Sequence, residues 1–291
     1  MIRACLAGAL MLTTLLVAGE VRAQDAEPPT APPRTLHWNA GRDDKSRNDE
    51  KRTDETRKHG EQRPFVYATD PSTPLPGEAT IEMAMQRASG VSATRPLPSS
   101  VAAYGMVYGV TASYGITRWL APFVTGLAGQ RADESNAPSA TAQAGLRLQL
   151  TQPSARFRLG ITGAWARELD GAQGGYARVS ATYDIDRVRL LGNAHVEKVF
   201  APGRDSVDLM AFGGVSVRTT DMLRLGAEYV AQDLEDRFEP EEAEGGVRHY
   251  AGPVASVELA QGALWITGGP AFGINRQSQP LIGRLSMLAS F

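Results

Sequence analysis

Two histidines stand in the body of the chain, His195 and His249, and only His195 has a carboxylate two residues away, Glu197. Hydrolysis needs a nucleophile, a base and an orienting group that converge. The stretch "NAHVEK" supplies a base and a carboxylate without a neighbouring serine, and the sequence holds neither a GxSxG elbow nor an HExxH pair. The one cysteine, Cys5, lies in the first 23 residues. His195 with Glu197 therefore reads as a polar pair in an interior. No catalytic residue, metal site or cofactor is expected. The run "DLEDRFEPEEAEGG" packs seven acidic residues between Asp233 and Glu244, without the spacing of a calcium loop, and reads as a solvated connection.

The commoner chemical group is the guanidinium. Arg147, Arg156, Arg158, Arg187, Arg189, Arg218, Arg224 and Arg284 are spread over some 140 residues, with Glu82, Asp184, Glu197, Asp208, Glu228 and Glu258 for company. Two chemistries are open to such a set. The charges can pair across neighbouring segments and fill an interior, or the arginines can line a constriction that favours anions over cations. Which applies depends on the elements that carry them.

Those elements alternate. In "ATAQAGLRLQLT", Ala140, Ala142, Ala144, Leu146 and Leu148 fall on one side, and Thr141, Gln143, Arg147 and Gln149 on the other. In "RFRLGITGAWARE", Phe157, Leu159, Ile161 and Trp165 oppose Arg158, Thr162 and Glu168. A pleated strand sends successive side chains to opposite faces, so each run has a greasy and a wet side. Twelve such runs follow from residue 77: 78–88, 101–114, 118–130, 139–151, 155–168, 175–185, 187–199, 206–218, 222–233, 247–259, 263–275 and 281–291. They are longer than strands of soluble sandwiches, which average about five or six residues, and suit a tilted membrane span. Alternate connections are tight ("YGIT", "QPS", "DID", "TTD", "AQG"), and the others are longer and more polar. The Gly174–Gly175, Gly213–Gly214 and Gly268–Gly269 pairs fall in or beside strands and read as bends or places of close packing.

The amino-terminal part is different. Residues 1–23 carry a basic start, an apolar run and small residues before Ala23, which predicts a cleaved secretory signal. Residues 24–76 are Pro-rich and then dense in both charges, and read as a disordered periplasmic tail. Within it Trp38 and the stretch "RPFVYATDP" offer small anchoring points, and a periplasmic or cell-wall partner is one use for such an arm. The net charge of −2 excludes the basic face that nucleic-acid binding needs.

Signal, amphipathic runs and a terminal Phe291 resemble Gram-negative outer-membrane β-barrel proteins. The "YGITRWLAPFVTG" turn is similar to one common in transporter-like members. The resemblance covers residues 77–291. It implies a closed antiparallel transmembrane β-barrel of about twelve strands in the outer membrane, among lipid and lipopolysaccharide, inserted by the barrel-assembly machinery through a signal that includes Phe291. On this reading the lumen or pore lining is Arg147, Arg156, Arg158, Arg187, Arg189, Arg218, Arg224, Glu228, His195 and Glu197. The expected function is a channel or transporter-like pore for small solutes, anionic ones among them, and not an enzyme. The alternative is a structural or interaction barrel with a plugged lumen and a tail that binds a periplasmic or cell-wall partner.

Overall fold

The computed structural model describes residues 62–88, 104–131, 138–168, 171–200, 207–234 and 247–291. The signal, most of the tail and the acidic run after Leu234 lie outside the described residues. Twelve strands are present: β1 Ala79–Ala88, β2 Tyr104–Tyr114, β3 Leu120–Arg131, β4 Pro138–Gln149, β5 Phe157–Glu168, β6 Gln173–Ile185, β7 Val188–Phe200, β8 Val207–Arg218, β9 Leu223–Gln232, β10 Arg248–Leu259, β11 Leu264–Gly273 and β12 Leu281–Ser290.

Each strand pairs antiparallel with its neighbours in sequence, and β1 pairs with β12, so the sheet is a closed barrel. At the seam Thr80 faces Ser290, Ala84 faces Ser286 and Ala88 faces Ile282. The ring is continued by Phe291, whose amide donates to the Ala79 carbonyl at 2.9 Å. Closure removes the open edge that hydrocarbon would leave without hydrogen-bond partners.

Tight turns and both ends of the described chain share one mouth of the barrel. Asp186 and Arg187 alone join β6 to β7, with Asp186 at φ 50, a left-handed conformation that aspartate tolerates. In the β8–β9 turn Thr220 Oγ1 accepts from the amides of Met222 and Leu223.

The alternation sorts as the pattern requires. Exposed on the outer face are Val110, Val124, Leu146, Trp165, Val179, Leu190, Leu225, Phe272 and Leu285. Buried on the inner face are Glu82, Arg158, Arg189, His195, Glu228 and Ser286. Tyr114, Phe157 and Tyr183 stand outward near the turn mouth, at the level of an interfacial aromatic girdle.

A cation at the middle of the lipid face tests this arrangement. Leu285→Arg is expected to lower folding stability in lipid vesicles by about 2–4 kcal/mol, read by urea titration, while Asp221→Arg in an exposed turn leaves it unchanged.

Candidate functional site: the lumen and the segment inside it

The lumen is not left to side chains alone. Residues 62–74 are buried throughout, and they lie inside the barrel. The expectation of a disordered tail through residue 76 does not hold for 62–74: the anchoring stretch "RPFVYATDP" is ordered, and its partner is the barrel's own inner wall.

The hydrogen bonds trace the segment's path. Gln62 Oε1 accepts from Arg189 Nη1 near the turn mouth. One layer deeper the Arg63 carbonyl accepts from Ser256 Oγ at 3.0 Å and from Thr267 Oγ1. At mid-height the Glu228 carboxylate accepts three successive amides, Val66 at 2.8 Å, Tyr67 at 3.1 Å and Ala68 at 3.0 Å. Asn193 then grips Thr69 on both sides, its Oδ1 accepting from the Thr69 amide and its Nδ2 donating to the Thr69 carbonyl. The chain returns to the turn mouth, where the Thr73 amide donates to Gln149 Oε1 at 3.2 Å and the Leu75 amide to Glu78 Oε2 at 2.6 Å. It is a re-entrant loop that enters and leaves by one mouth.

Apolar packing seats the loop against one side of the wall. Phe65, Val66, Tyr67 and Ala68 form one buried cluster with Leu191, Met210, Phe212, Val230, Tyr250, Val254, Ala271 and Ile282 of β7–β12 and with Ala88 at the end of β1. Burying the Phe65 and Val66 side chains stabilises the seat by roughly 1.5–3 kcal/mol each. Gly214 makes room for Phe65, since a Cβ there would stand 2.5 Å from a ring carbon.

Asp70 locks the return limb. Its Oδ2 lies 3.4 Å from both Arg158 Nη2 and Arg189 Nη1, and its Oδ1 accepts from the Ser72 amide at 3.0 Å. The same guanidiniums hold Asp184, Arg158 at 2.8 Å and Arg189 at 2.6 Å. Burial alone would raise the Asp70 carboxyl, but the two arginines and Ser72 outweigh it and hold it well below the usual carboxylate range. Burial pushes the Tyr67 phenol up.

The other side of the lumen stays open around a cavity of about 170 Å³, bounded by β1–β6, the loop, and His195, Glu197 and Arg284 from the flanking strands β7 and β12. Arg63, Arg147, Arg178 and Arg284 border it, against Glu82 and Glu197. Arg63 pairs with Glu82 at 2.7 Å, and Arg284 stands 3.6 Å from the same carboxylate. Arg147 lies over the Phe123 ring at 5.0 Å. Arg178 donates to Thr69 Oγ1 at 2.6 Å and to His195 Nδ1 at 3.2 Å. The Tyr67 hydroxyl, lining the same cavity, is buried with no hydrogen-bond partner among the described residues.

The expected lining residues separate into groups. Arg147, His195 and Glu197 border the cavity. Arg158, Arg189 and Glu228 hold the loop. Arg224 is buried on the lumen face of β9, and Arg218 sits at the mouth, 3.5 Å from Glu258. Arg156 and Arg187 are exposed in turns, because the alternation that places strand residues lapses where the chain reverses. His195 Nε2 lies 3.4 Å from Glu197, its ring stacked on Tyr176 at 4.9 Å, a packed polar pair. His249 faces outward against Tyr229 at 2.6 Å. Asp70, Arg63, Asn193 and Arg178 went unrecognised as a set. One signal for them was available: Met210, Phe212, Val254 and Trp265 are apolar on the face that should be wet, so something apolar had to pack there.

No protein-family description matches the sequence, and no curated protein is similar to it. Some solved structures are distantly similar to the chain. The KdgM porin is 7% identical over 73% of this chain and 99% of its own, with a TM-score of 0.49. The NanC porin is 9% identical over 72% of this chain and 98% of its own, with a TM-score of 0.47. The translocator domain of the autotransporter NalP from Neisseria meningitidis is 14% identical over 85% of this chain and 95% of its own, at 0.45. Likeness this distant carries nothing about substrate or activity. By its closed ring, apolar outer belt and polar interior the chain is a twelve-strand β-barrel built to span a membrane, and its own residues 62–74 occupy part of the lumen.

Removing the central acceptor is expected to unseat the loop. Glu228→Ala leaves three buried amides without an acceptor, at about 1–3 kcal/mol for each unsatisfied group. Amide exchange at residues 66–69 should accelerate at least tenfold, and Gly214→Leu, which displaces Phe65 without touching a hydrogen bond, should do the same. Because the Asp70 carboxyl is depressed, its contribution is complete above the ordinary carboxylate range and is lost only as pH falls through its lower native value. Exchange protection of the Ser72 amide, which donates to Asp70, should therefore stay flat between about pH 8 and pH 5 once corrected for intrinsic rates.

Proposed function

We propose that this barrel is an outer-membrane channel for small anionic solutes, which pass the loop on the β1–β6 side. The observation that carries the reading is the charge around the remaining cavity: Arg63, Arg147, Arg178 and Arg284 against Glu82 and Glu197. In a narrow, partly desolvated passage a local excess of fixed positive charge lowers the free energy of an anion and raises that of a cation. The Tyr67 hydroxyl adds a buried donor without a partner among the described residues, suited to a solute oxygen. His195 and Glu197 serve as wall residues in this reading, and the barrel works without a catalytic step.

A second reading is favoured by the quality of the loop's seat. Its amides at 66–69 and 73 all find side-chain acceptors on the barrel, as in a permanent plug. A closed barrel of that kind would leave function to the residues before 62 and a periplasmic or cell-wall partner.

Planar bilayers separate the two. The full mature chain should conduct with a reversal potential that favours anions under a salt gradient. Arg147→Glu, on the cavity wall, should shift that potential toward cations, and deletion of residues 62–73 should raise unit conductance severalfold. Silent membranes with the full chain, or cation preference, overturn the channel reading. A pull-down from a periplasmic extract that is lost with residues 24–61 would then support the second.

A further inference from the structure

The loop and the barrel seam meet at one carboxylate. Glu82 of β1 holds Arg63 of the loop at 2.7 Å through Oε1, and Arg284 of β12 stands 3.6 Å from the same oxygen. That second separation is longer than a hydrogen bond. Across the seam Arg284 faces Gln86, and both border the cavity. The first strand, the last strand and the loop are thus tied at one place, and the cavity opens onto it.

Two requirements of this place are not met among the described residues. The first is charge. Arg63, Arg147, Arg178 and Arg284 border the cavity with Glu82 and Glu197, and Glu228 adds its charge beside Tyr67. Four guanidiniums against three carboxylates leave one positive charge in excess, and a buried charge without a counter-charge is costly. Arg178 already donates to Thr69 and His195, and Arg147 lies over the Phe123 ring. Arg284 has the long approach to Glu82 and the Tyr67 ring, whose centroid is 5.9 Å from its guanidinium. The second requirement is an acceptor. The Tyr67 hydroxyl is buried at the cavity with no hydrogen-bond partner among the described residues. Burial pushes this phenol up, so it remains a donor, and a buried donor without an acceptor costs free energy.

One occupant meets both requirements. A carboxylate carries a single negative charge and two oxygen acceptors, one for the Arg284 guanidinium and one for the Tyr67 hydroxyl, in charge-assisted hydrogen bonds. A doubly charged sulfate would turn the excess negative, and chloride lacks the pair of separate acceptors. We infer that the cavity binds a small monocarboxylate between Arg284 and Tyr67, and that this anion braces the loop against the seam. The inference rests on the anion reading of the same cavity and not on passage through it. Tyr67 belongs to the loop and Arg284 to the wall, so the site is complete only while the loop is seated. By linkage, whatever the anion gains from the seated loop the loop gains from the anion. A solute entering the cavity therefore tightens the loop and does not push it aside.

The test uses the full chain purified in detergent. Amide exchange at residues 66–69 is followed by mass spectrometry at fixed pH while sodium acetate replaces sodium chloride at constant ionic strength. Exchange should slow saturably, by about tenfold at ten times the midpoint concentration, as for a ligand that binds only the seated form. Sodium sulfate at the same ionic strength should slow it severalfold less. Tyr67→Phe keeps the ring and should raise the acetate midpoint severalfold. Arg284→Met, which leaves Arg63 and Glu82 as a matched pair, should abolish the response. Asp221→Asn in an exposed turn should respond as the wild type does. Heat-modifiable mobility confirms that each variant is a folded barrel. Exchange that is unchanged or faster in acetate overturns the inference, as does equal slowing by sulfate or a response that survives Arg284→Met. Planar bilayers keep the two readings apart. Silent membranes with an intact acetate response overturn the channel alone, and anion-selective membranes without an acetate response overturn the bound anion alone.

Discussion

Everything in this molecule follows from the requirement that a strand edge in hydrocarbon have a partner. An unpaired amide or carbonyl there costs several kcal/mol, and water is not present to relieve it. The chain meets the requirement by joining β12 to β1 in register from Thr80–Ser290 to Ala88–Ile282. Once the ring is closed, every strand has two faces of fixed environment. The face that carries Leu285 must be apolar, and the face that carries Arg284 and Ser286 can afford charge.

Closure creates a second problem inside. A ring of twelve strands is wider than one whose side chains meet at the axis, so charged residues from opposite walls cannot all pair across it. The barrel solves this by division. The β7–β12 wall presents Met210, Phe212, Val230 and Tyr250 and takes the loop against them. The β1–β6 wall keeps a polar cavity. The loop brings in its own main-chain donors and acceptors, which need partners as strictly as those of the wall. Glu228, Asn193, Ser256, Thr267 and Gln149 supply them. Arg158 and Arg189, placed in the lumen by alternation, pair with Asp184 of the wall and with Asp70 of the loop.

The strands were legible because a period of two persists over ten or more residues and nothing else in a sequence does that. All twelve runs appear, with ends displaced by no more than three residues; β2, for example, is described from Tyr104 and not 101. Arg147, Arg158, Arg189, His195, Glu197 and Glu228 were placed on the inner face by the same rule. The same rule put Arg156 and Arg187 there too, but the structure exposes both in turns, where the neighbouring strand no longer dictates which way a side chain points. The loop was hidden for a different reason. It has no periodicity, and its partners lie far away in sequence: Val66 bonds to a carboxylate 162 positions on, and Arg63 to a hydroxyl 204 positions on. Composition could show that "RPFVYATDP" was stickier than its surroundings, but not that its partner was the same chain.

The prolines deserve a physical account, because they misled in one direction and serve in the other. Pro64, Pro71, Pro74 and Pro76 made 62–76 look like the continuation of a disordered arm. A proline has no amide proton, so each one removes a donor that a desolvated lumen would otherwise have to satisfy. Its fixed φ also means that less backbone freedom is lost when the segment is ordered. With Pro64 and Pro71 at its edges, the stretch from Phe65 to Asp70 is left with a short set of amides, and the wall meets those at Val66, Tyr67, Ala68 and Thr69 with two side chains, Glu228 and Asn193. A Pro-rich sequence is therefore poor at building its own hydrogen-bonded structure and well suited to occupying someone else's. Inside a barrel wall already fully paired, a guest with few donors is the one that costs least to enclose.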